Sequence, residues 1–568
     1  MSRIPLSSGA VRILRERYIL RSPSGMPKET PEQMFRRVAR AIFMPEKKWK
    51  HPDKIDEKFY RMMVRLEFLP NSPALMNAGT FTGQLSACYV IPVGDSMPEI
   101  FDALKAMAII HQNGGGTGFS FSRLRPAGSH LVSSGGRASG PVSFMKLFDT
   151  TTDIVKQGGR RRGANMGVLS ATHPDILNFI TSKSDMTSLQ NFNISVAASD
   201  TFMEAARTGS SYNLIDPRTG RPAGKENAEK VLDAVAENAW KTGDPGMIFI
   251  DEINRKHLVP GKVECLNTCG EAVLLPWESC NLGSINIAKM LKDRTVNWEL
   301  LEETVHLAVR FLDNAIDANV FPLEQAAAVS RMNRKIGLGI MGFADALIEM
   351  GIPYASDDAV SFAGRLMSFI QKEARVASEA LGKERGSFPN FGRSRLTEKY
   401  RHMRNAACTA IAPTGTISMI AACSSGIEPL FALSFTRAVL GGFSEINPAF
   451  EDFAKRRGFH SQGLMDEVMH KGSLSNIGRA PVHARKLFAT AYEIRPKWHV
   501  KMQAEFQKHT DQAVSKTVNL PRNAAIEDIK NVFILAHRLK CKGITVYRDS
   551  SRAVQVLNAG ACRECPPV

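Results

Sequence analysis

The chain has 568 residues, of which 43% are hydrophobic and 23% are charged. A chain of this length exceeds the usual size of one hydrophobic core, so we expect one large domain with additions or two to three domains. Its opening residues lack an apolar signal segment, and no apolar run approaches the roughly 18 residues that a membrane span requires. We therefore expect a soluble, cytoplasmic protein that does not associate with membranes.

The cysteine content and the net charge restrict the chemistry further. The nine cysteines form an odd number in a long chain, which argues against a disulfide framework and suits redox chemistry better. The net charge of +17 fits anionic partners such as nucleotides or nucleic acid. On charge alone, a basic surface without a function is slightly favoured, and nothing in the sequence requires a nucleic acid partner.

The first 80 residues are predicted to be helical. Thr30 is a typical capping residue, Pro31 suits the first helical position, and Gln33 completes the capping pattern. The segment 68–75 contains two prolines and is predicted to be a loop. Residues 87–93 are predicted to form a buried strand, which its own proline shortens.

Two glycine-rich segments follow amphipathic helices. The predicted helix 98–112 leads into the segment 114–118 (GGGTG), where a ligand can approach backbone amides closely, although a plain turn is more common. A second helix, roughly 141–157, leads into three arginines at 160–162. Arginines between glycines suit phosphate binding, and a solvated basic turn is an equal alternative.

The centre of the chain carries the most informative spacing. Asn267, Cys269 and Glu271 lie two residues apart, and Cys280 follows eleven residues after Cys269. In an extended segment, side chains two apart project to the same side, so an amide, a thiol and a carboxylate are expected to converge. Gly270 permits a tight turn between them. A thiol near a base can form a reactive centre, and a buried loop with inert cysteines is the alternative.

Helices and strands alternate along the remainder of the chain, while the segment 440–500 has no clear pattern. This alternation predicts an α/β fold with a barrel-like core. The predicted elements are helices at 298–319, 356–383 and 524–539, and strands at 165–171, 192–198, 247–250, 406–412 and 543–547.

Two polar segments follow the centre. The strand 406–412 ends at the segment 413–418 (PTGTIS), which opens a helix; this arrangement suits phosphate binding, with a plain capped turn as the alternative. Cys562 and Cys565 form a Cys-x-x-Cys pair that can act as a mobile dithiol. A zinc half-site is the alternative for this pair, but it needs a second ligand pair, so we predict no metal site.

Taken together, these motifs resemble those of ribonucleotide reductases, specifically the large catalytic chain. The resemblance covers residues 15–556 and is greatest to the class II enzymes, which depend on adenosylcobalamin. The motifs that carry it are 71–79 (NSPALMNAG), Cys88, 114–119 (GGGTGF), 159–167 (GRRRGANMG), 189–195 (LQNFNIS), 267–271 (NTCGE), 278–286 (ESCNLGSIN), 412–418 (APTGTIS) and 543–549 (GITVYRD).

The resemblance implies a fold and a domain organisation. Members of this family have a ten-stranded α/β barrel of two five-stranded halves, with a finger loop through its centre, here 267–271. The implied domains are a helical N-terminal region at 1–80 without an ATP-binding cone, a catalytic barrel at 81–556, and a flexible tail at 557–568 with the Cys-x-x-Cys pair.

The resemblance also implies how the radical chemistry would proceed. Cys269 would carry a transient thiyl radical that removes the ribose 3′ hydrogen, in a buried site that protects the radical from quenching. Glu271 would act as general base on the 3′-OH, and Asn267 would hold the substrate by hydrogen bonds. Family members usually have proline where Thr268 stands, and threonine lacks the fixed φ of proline.

The remaining cysteines would supply the electrons. By resemblance, Cys88 and Cys280 are the reducing pair and would become a disulfide during turnover. Cys562 and Cys565 would then reduce that disulfide by exchange and pass the oxidation to a thioredoxin or a glutaredoxin-like protein.

The resemblance further implies two nucleotide sites. A ribonucleotide substrate would contact Ser72, Ala87, Gly116, Pro413, Thr414, Gly415, Thr416 and Ile417. A deoxynucleoside triphosphate effector would contact Asp95, Arg125, Arg160, Arg161 and Arg162. An effector pocket where the helices of two subunits meet implies a homodimer.

The source of the radical distinguishes the classes of this family. Class I chains receive the radical from a metal-bearing partner through two adjacent tyrosines, whereas here Tyr547 is followed by Arg548. We therefore expect adenosylcobalamin as the cofactor, and resemblance to the dimeric enzymes favours ribonucleoside diphosphates as substrates. The alternatives are a class I subunit with an altered relay and a nucleotide-binding regulator that has lost catalysis.

Overall fold

The computed structural model describes residues 4–49, 54–131, 135–155, 163–437, 443–551 and 558–559. The described helices are α1 (Ser8–Ile13), α2 (Pro31–Phe43), α3 (Ile55–Val64), α4 (Ser72–Asn77), α5 (Met97–Gln112), α6 (Pro141–Ile154), α7 (Ile176–Thr181), α8 (Asp200–Thr208), α9 (Ala228–Thr242), α10 (Ile250–Lys256), α11 (Trp298–Ala318), α12 (Glu324–Asn333), α13 (Phe343–Met350), α14 (Asp357–Arg385), α15 (Gly415–Ile420), α16 (Pro448–Arg456), α17 (Gln462–Lys471), α18 (Val482–Leu487), α19 (Pro496–Lys508) and α20 (Ile526–Arg538).

The strands are shorter than most of the helices. They are β1 (Phe68–Pro70), β2 (Cys88–Val90), β3 (Gly116–Ser120), β4 (Asn165–Ser170), β5 (Phe192–Ala198), β6 (Ser211–Ile215), β7 (Pro222–Asn227), β8 (Gly246–Phe249), β9 (Leu282–Asn286), β10 (Leu291–Lys292), β11 (Thr295–Val296), β12 (Gly337–Met341), β13 (Ser434–Arg437), β14 (Phe443–Ile446), β15 (Thr517–Leu520), β16 (Gly543–Arg548) and β17 (Asn558–Ala559).

The N-terminal region is helical, as predicted, and α2 starts with the full capping box between Thr30 and Gln33. The predicted loop at 68–75 is wrong, because this segment forms β1 and the start of α4. Asn71 caps α4, its Oδ1 accepting a hydrogen bond from Ala74 N at 2.9 Å. The backbone amides in the first turn of a helix have no acceptor within the helix, so proline, which lacks this amide hydrogen, is tolerated there. Pro73 therefore lies in the first turn of α4 and does not break it.

A buried ionic cluster joins the N-terminal region to the rest of the protein. Glu46 is fully buried and accepts hydrogen bonds from Arg310 of α11 at 2.8 Å and from Arg385 of α14 at 2.6 Å. Burial raises the pKa of Glu46, but the hydrogen bonds from these two arginines outweigh burial, and the pKa is lowered. Glu46 therefore stays ionised and links three helical segments.

The larger sheet has seven strands in the order β15-β16-β8-β5-β4-β3-β2. Five of them, β2, β3, β4, β5 and β8, are mutually parallel. β15 and β16 are parallel to each other, and β16 pairs antiparallel with β8. Helices connect the parallel strands, as parallel pairing requires.

A second sheet has the order β1-β9-β12, with β9 and β12 parallel. Single bridges extend the pairing beyond it: Leu338 with Thr409 and Ile411 with Val514 are parallel, and Tyr89 with Ser279 is antiparallel. The segment 406–412, predicted as a strand, forms only such bridges. The described strands therefore establish an α/β fold, and the ten-stranded barrel remains a prediction.

Two large apolar clusters and one small one fill the interior. The small cluster packs side chains between Ile446 and Phe488, within the segment 440–500 that has no clear sequence pattern. Phe450 and Phe453 of α16 pack against Phe488 with ring centroids 5.2 Å apart in both pairs. Among the described residues, no helix combines the length and the apolar character that crossing a membrane demands.

Candidate active site

A cavity of about 230 Å³ brings distant parts of the chain together. A larger cavity of about 580 Å³, between α3, α11 and α14, contains none of the predicted site residues. The smaller cavity is lined by Arg17, Tyr18, Asn71, Ser72, Pro73, Met76, Ala87, Cys88, Cys269, Glu271, Leu282, Gly283, Ser284, Ala412, Pro413, Thr414, Gly415, Thr416 and Ile417.

The central loop turns sharply and is not extended as the spacing predicts. Gly270 has φ +79°, in the region that favours glycine, and its amide donates to Asn267 O at 3.1 Å. The side-chain Oδ1 of Asn267 accepts from Ala272 N at 2.9 Å. These bonds close a tight turn with Cys269 near its tip.

The turn separates the three side chains that were expected to converge. Cys269 is exposed and Glu271 is 2% exposed, and both line the cavity. Asn267 is fully buried and does not line the cavity, and no described residue accepts a hydrogen bond from its Nδ2. The expectation that the Cys269 thiol is buried is wrong, because the tip of the turn projects into an open cavity.

Cys88 and Cys280 lie side by side next to the cavity. Cys280 N donates to Cys88 O at 2.9 Å, and both thiols are buried and reduced. A hydrogen bond to the Cys88 thiol, together with burial, raises the pKa of Cys280 well above its usual range. The negative charge of Glu271 acts in the same direction, so it also lies within electrostatic reach of this pair. The thiol of Cys280 therefore stays protonated near neutral pH.

The glycine-rich strand β3 accommodates the central loop at close range. A Cβ at Gly116 would lie 2.6 Å from Thr268 Oγ1, and one at Gly118 would lie 2.2 Å from Leu266 O. The predicted substrate residue Gly116 therefore lies against Thr268 and Cys88, and it does not line the cavity. The glycines serve loop packing here, in addition to any contact with a ligand.

The segment 413–417 lines the other side of the cavity. Thr414 precedes α15 with φ +57°, an uncommon conformation for a residue other than glycine, and its Oγ1 accepts from Gly426 N at 2.7 Å. Strained backbone of this kind clusters at functional sites. Ser72 and Ala87 line the cavity as predicted, and Ser72 Oγ lies 2.7 Å from the hydroxyl of Tyr18.

The two predicted effector residues that the structure describes, Asp95 and Arg125, do not line this cavity. Arg125 donates to the carboxylate of Asp95 at 2.9 Å and to its backbone oxygen at 3.0 Å, so these two residues bind each other. Arg160, Arg161, Arg162, Cys562 and Cys565 lie outside the described residues.

Three further residues at the site are not among the predicted site residues. Arg17 and Tyr18 line the cavity although they are far from its other residues in sequence. Thr268 was noted only as a departure from proline, yet its Oγ1 lies 3.6 Å from the sulfur of Cys88. No local sequence pattern distinguishes Arg17 or Tyr18. They line the cavity because the folded N-terminal region packs beside it.

The residue after Tyr547 has a structural role. The guanidinium of Arg548 lies 3.9 Å from the centroid of the Trp240 ring, and its Nε donates to Trp240 O at 3.0 Å. Arg548 also donates to Arg522 O at 3.0 Å. These contacts fix its side chain at the edge of β16.

The chain has an α/β core next to a helical N-terminal region, and cysteines and a carboxylate surround one cavity. These features are typical of enzymes with redox-active thiols. Residues 86–547 match the family described as "Ribonucleotide reductase, barrel domain", and residues 6–83 match "Ribonucleotide reductase, all-alpha domain". The chain therefore belongs to the ribonucleotide reductase family, as a large subunit.

Relatives from archaea and bacteria agree with this placement. A "Vitamin B12-dependent ribonucleoside-diphosphate reductase" of Thermoplasma acidophilum is 47% identical, over 99% of this chain and 82% of its own length. A protein of the same name from Mycobacterium tuberculosis is 47% identical, over 98% of this chain and 81% of its own length. The solved structure titled "Actinobacillus ureae class Id ribonucleotide reductase alpha subunit" has a TM-score of 0.80 over 96% of this chain and 97% of that one. At 23% identity it shows the fold alone.

Proposed function

We propose that the chain reduces ribonucleoside diphosphates to 2′-deoxyribonucleoside diphosphates with adenosylcobalamin as its cofactor, and so belongs to class II. The observation that carries the proposal is that Cys269, Glu271 and Cys88 line one cavity, and that the backbone amide of Cys280 donates a hydrogen bond to Cys88 O. The names of the 47% identical relatives support both the substrate class and the cofactor.

The roles of the side chains follow from their positions. Cys269 is accessible from the cavity, so its sulfur can lose a hydrogen atom and then take the 3′ hydrogen of a bound ribose. Glu271 is buried beside it and can accept the 3′-OH proton while the 2′-OH leaves as water. Cys88 and Cys280 supply the proton with which the 2′-OH leaves as water and a hydrogen atom to C2′. The electron released when their sulfurs join as a disulfide goes to C3′, where Glu271 returns its proton and Cys269 returns its hydrogen atom, so that two thiols balance the two-electron reduction.

The protonated state of the reducing pair suits this task. Because the raised pKa of Cys280 keeps its hydrogen in place, the pair can donate hydrogen equivalents at neutral pH. Asn267 presents Nδ2 as an unused donor beside the loop, which supports a role in holding the substrate once the loop adjusts.

Bound beside this cavity, adenosylcobalamin would supply the radical chemistry that removes the hydrogen of the Cys269 thiol. The exposed thiol of Cys269 fits a radical source that reaches the cavity directly. The position of Arg548 also supports a local radical source. Transfer of the radical from a partner would need a second tyrosine at this position, and here the side chain of Arg548 is held by Trp240.

The phosphates of the substrate are proposed to lie against the segment 413–417, with Ser72 and Ala87 nearer the ribose. All of these residues line the same cavity as Cys269, which supports the assignment. We also propose that Asp95 and Arg125 separate to bind a deoxynucleoside triphosphate effector, together with the arginines at 160–162.

A homodimer is proposed through α5 and α6. Met97 and Phe101 of α5 are 56% and 48% exposed, and Ile154 of α6 is 75% exposed, so both helices expose large apolar side chains. We propose domains at 1–80, 81–556 and 557–568, with Cys562 and Cys565 accepting electrons from a thioredoxin-type protein.

We further propose that the two sheets belong to one ten-stranded barrel. One half would contain β2, β3, β4, β5 and β8, and the other β9, β12, the segment 408–412, β15 and β16. The single bridges at Thr409, Ile411 and Tyr89 support closure, since each joins neighbours in this order with the required direction.

The test is turnover of one ribonucleoside diphosphate by the purified chain with dithiothreitol, with and without adenosylcobalamin. Deoxynucleotide formation only when the cofactor is present is the expected result. Activity that needs a second, metal-bearing subunit would instead favour class I. Nucleotide binding without turnover under any of these conditions would favour a regulator that has lost catalysis.

A further inference from the structure

The cavity that holds Cys269 has a cationic residue which none of the motifs includes. Arg17 lies in a π-helical turn (Leu14–Tyr18) and lines the cavity together with its neighbour Tyr18. Among the described lining residues, Arg17 is the one side chain with a permanent positive charge, and Glu271 is the one carboxylate. π-Helical turns are rare and occur frequently at functional sites.

The fold brings this turn to the phosphate side of the cavity. α1, which leads directly into the π-helical turn, packs against α15, and the turn itself packs against α4. The hydroxyl of Tyr18 lies 2.7 Å from Ser72 Oγ at the start of α4. Tyr18 is 2% exposed, so it anchors the turn beside the residues of segment 413–417.

Arg17 is available for a ligand. Its side chain is exposed, and no carboxylate of the described ranges forms an ion pair with it. The neighbouring Glu16 is already paired with Arg12 at 2.8 Å. A guanidinium that faces a cavity and has five donors in a planar fork is well suited to a phosphate group.

We propose that Arg17 is a substrate-binding residue that pairs with the distal phosphate of a ribonucleoside diphosphate, while Tyr18 positions Ser72. Arg17 is exposed, whereas Thr414 and Ile417 are 7% and 5% exposed, on either side of the exposed Gly415. The proximal phosphate therefore falls to the segment 413–417 and the distal one to Arg17. This inference rests on the proposed function and identifies what makes the site select diphosphates over monophosphates.

The experiment compares binding of cytidine 5′-diphosphate, cytidine 5′-monophosphate and cytidine to the full chain without reductant, by equilibrium dialysis. In Arg17→Ala we expect the affinity for the diphosphate to fall by about tenfold or more, the loss typical of one charge-assisted hydrogen bond. Affinity for the monophosphate and for cytidine should change by less than about twofold. Arg17→Lys keeps the charge without the fork and should recover part of the loss.

Arg15→Ala is the matched control, because Arg15 is an exposed arginine of the same turn that does not line the cavity. It should bind all three compounds like the wild type. In turnover with adenosylcobalamin, Arg17→Ala should raise KM for the diphosphate by about tenfold and leave kcat within about twofold.

An Arg17→Ala protein that binds the diphosphate as tightly as the wild type would overturn the assignment. So would equal weakening of diphosphate and monophosphate, since that pattern indicates the proximal phosphate or a general disturbance of the site. A wild type that binds the diphosphate, loses this binding in Arg17→Ala and yet reduces no nucleotide would overturn the proposed function and support the Arg17 contact.

Discussion

Gly118 of β3 is the position where one added methyl group tests the geometry of the site most directly. A Cβ there would lie 2.2 Å from the carbonyl oxygen of Leu266, one residue before Asn267. Ordinary contact begins at 3.4 Å, so the loop in Gly118→Ala has to move by the difference, about 1.2 Å. The obstacle is a backbone atom, which cannot rotate away as a side chain does.

The expected loss of turnover follows from the size of this movement. Misplacement of a reacting group by about 1 Å can cost about 100-fold in rate, so we expect turnover of Gly118→Ala to fall by about that factor. Overpacking a dense interior typically costs about 1–3 kcal/mol, so the variant should still fold. Gly116→Ala should lose less activity, because its obstacle at 2.6 Å is the side-chain oxygen of Thr268.

The assay is formation of a deoxyribonucleoside diphosphate with adenosylcobalamin and dithiothreitol, with circular dichroism to verify folding. Gly478→Ala is the control, because nothing lies within 4 Å of a Cβ at that exposed glycine. Gly118→Ala with the activity of Gly478→Ala would refute the idea that close contact with β3 sets the position of the catalytic loop.

Three further changes test other parts of the protein. Cys269→Ser should abolish deoxynucleotide formation in a folded protein, because an alcohol O–H bond is too strong to yield a radical here; substantial turnover would defeat the radical assignment. The double variant Cys562→Ser/Cys565→Ser should retain turnover with dithiothreitol and lose it with thioredoxin, and equal loss with both reductants would count against a shuttle. Glu46→Gln should lower the free energy of unfolding by about 1–3 kcal/mol, because Arg310 and Arg385 lose a buried carboxylate partner while both keep Glu384. The folded pKa of Glu46 is lowered, so its contribution is present above the unfolded value of about 4.3 and is lost as pH falls through the folded pKa. The stability difference between wild type and Glu46→Gln should therefore shrink on acidification, and a constant difference in thermal unfolding from about pH 6 to about pH 3 would contradict this.

Local sequence patterns predicted the helices well because capping and periodicity act over a few residues. Thr30 and Gln33 form the expected capping box, and α5 and α11 begin within one residue of their predicted starts. Prediction of strands failed where strand pairing depends on residues far away in the chain. The segment 406–412 has the composition of a strand, yet it meets its neighbours only at single bridges, which no local pattern reveals.

The central loop shows the same limit inside the site. Residue types and spacing at 267–271 predict which groups react, and this stays a prediction, whereas convergence by a two-residue repeat holds only for extended backbone. The actual turn is closed by Asn267 Oδ1 and Ala272 N, so the asparagine is committed to the loop while Cys269 reaches the cavity. Arg17 and Tyr18 could not be found in this way, because only tertiary packing places them near the loop.

The contacts of the loop explain how it can be held rigid with threonine at 268, the position at which proline is usual in the family that the sequence resembles. Thr268 O accepts from Asn193 Nδ2 at 3.1 Å, and its side chain lies between Gly116 and the sulfur of Cys88. The end of the loop is held as well, since Val273 N donates to Gln512 Oε1 at 3.1 Å and Val273 O accepts from Lys335 at 2.9 Å.

Lys335 in turn pairs with the buried carboxylate of Glu278 at 2.6 Å, two residues before Cys280. The loop that carries Cys269 and the segment before β9 that carries Cys280 are therefore fixed to one side chain. A proline ring would restrict one φ angle, whereas these bonds restrict the loop at both ends and tie it to the reducing pair. Because tertiary contacts hold the loop, Cys269 and Glu271 do not need proline at 268 to keep their positions.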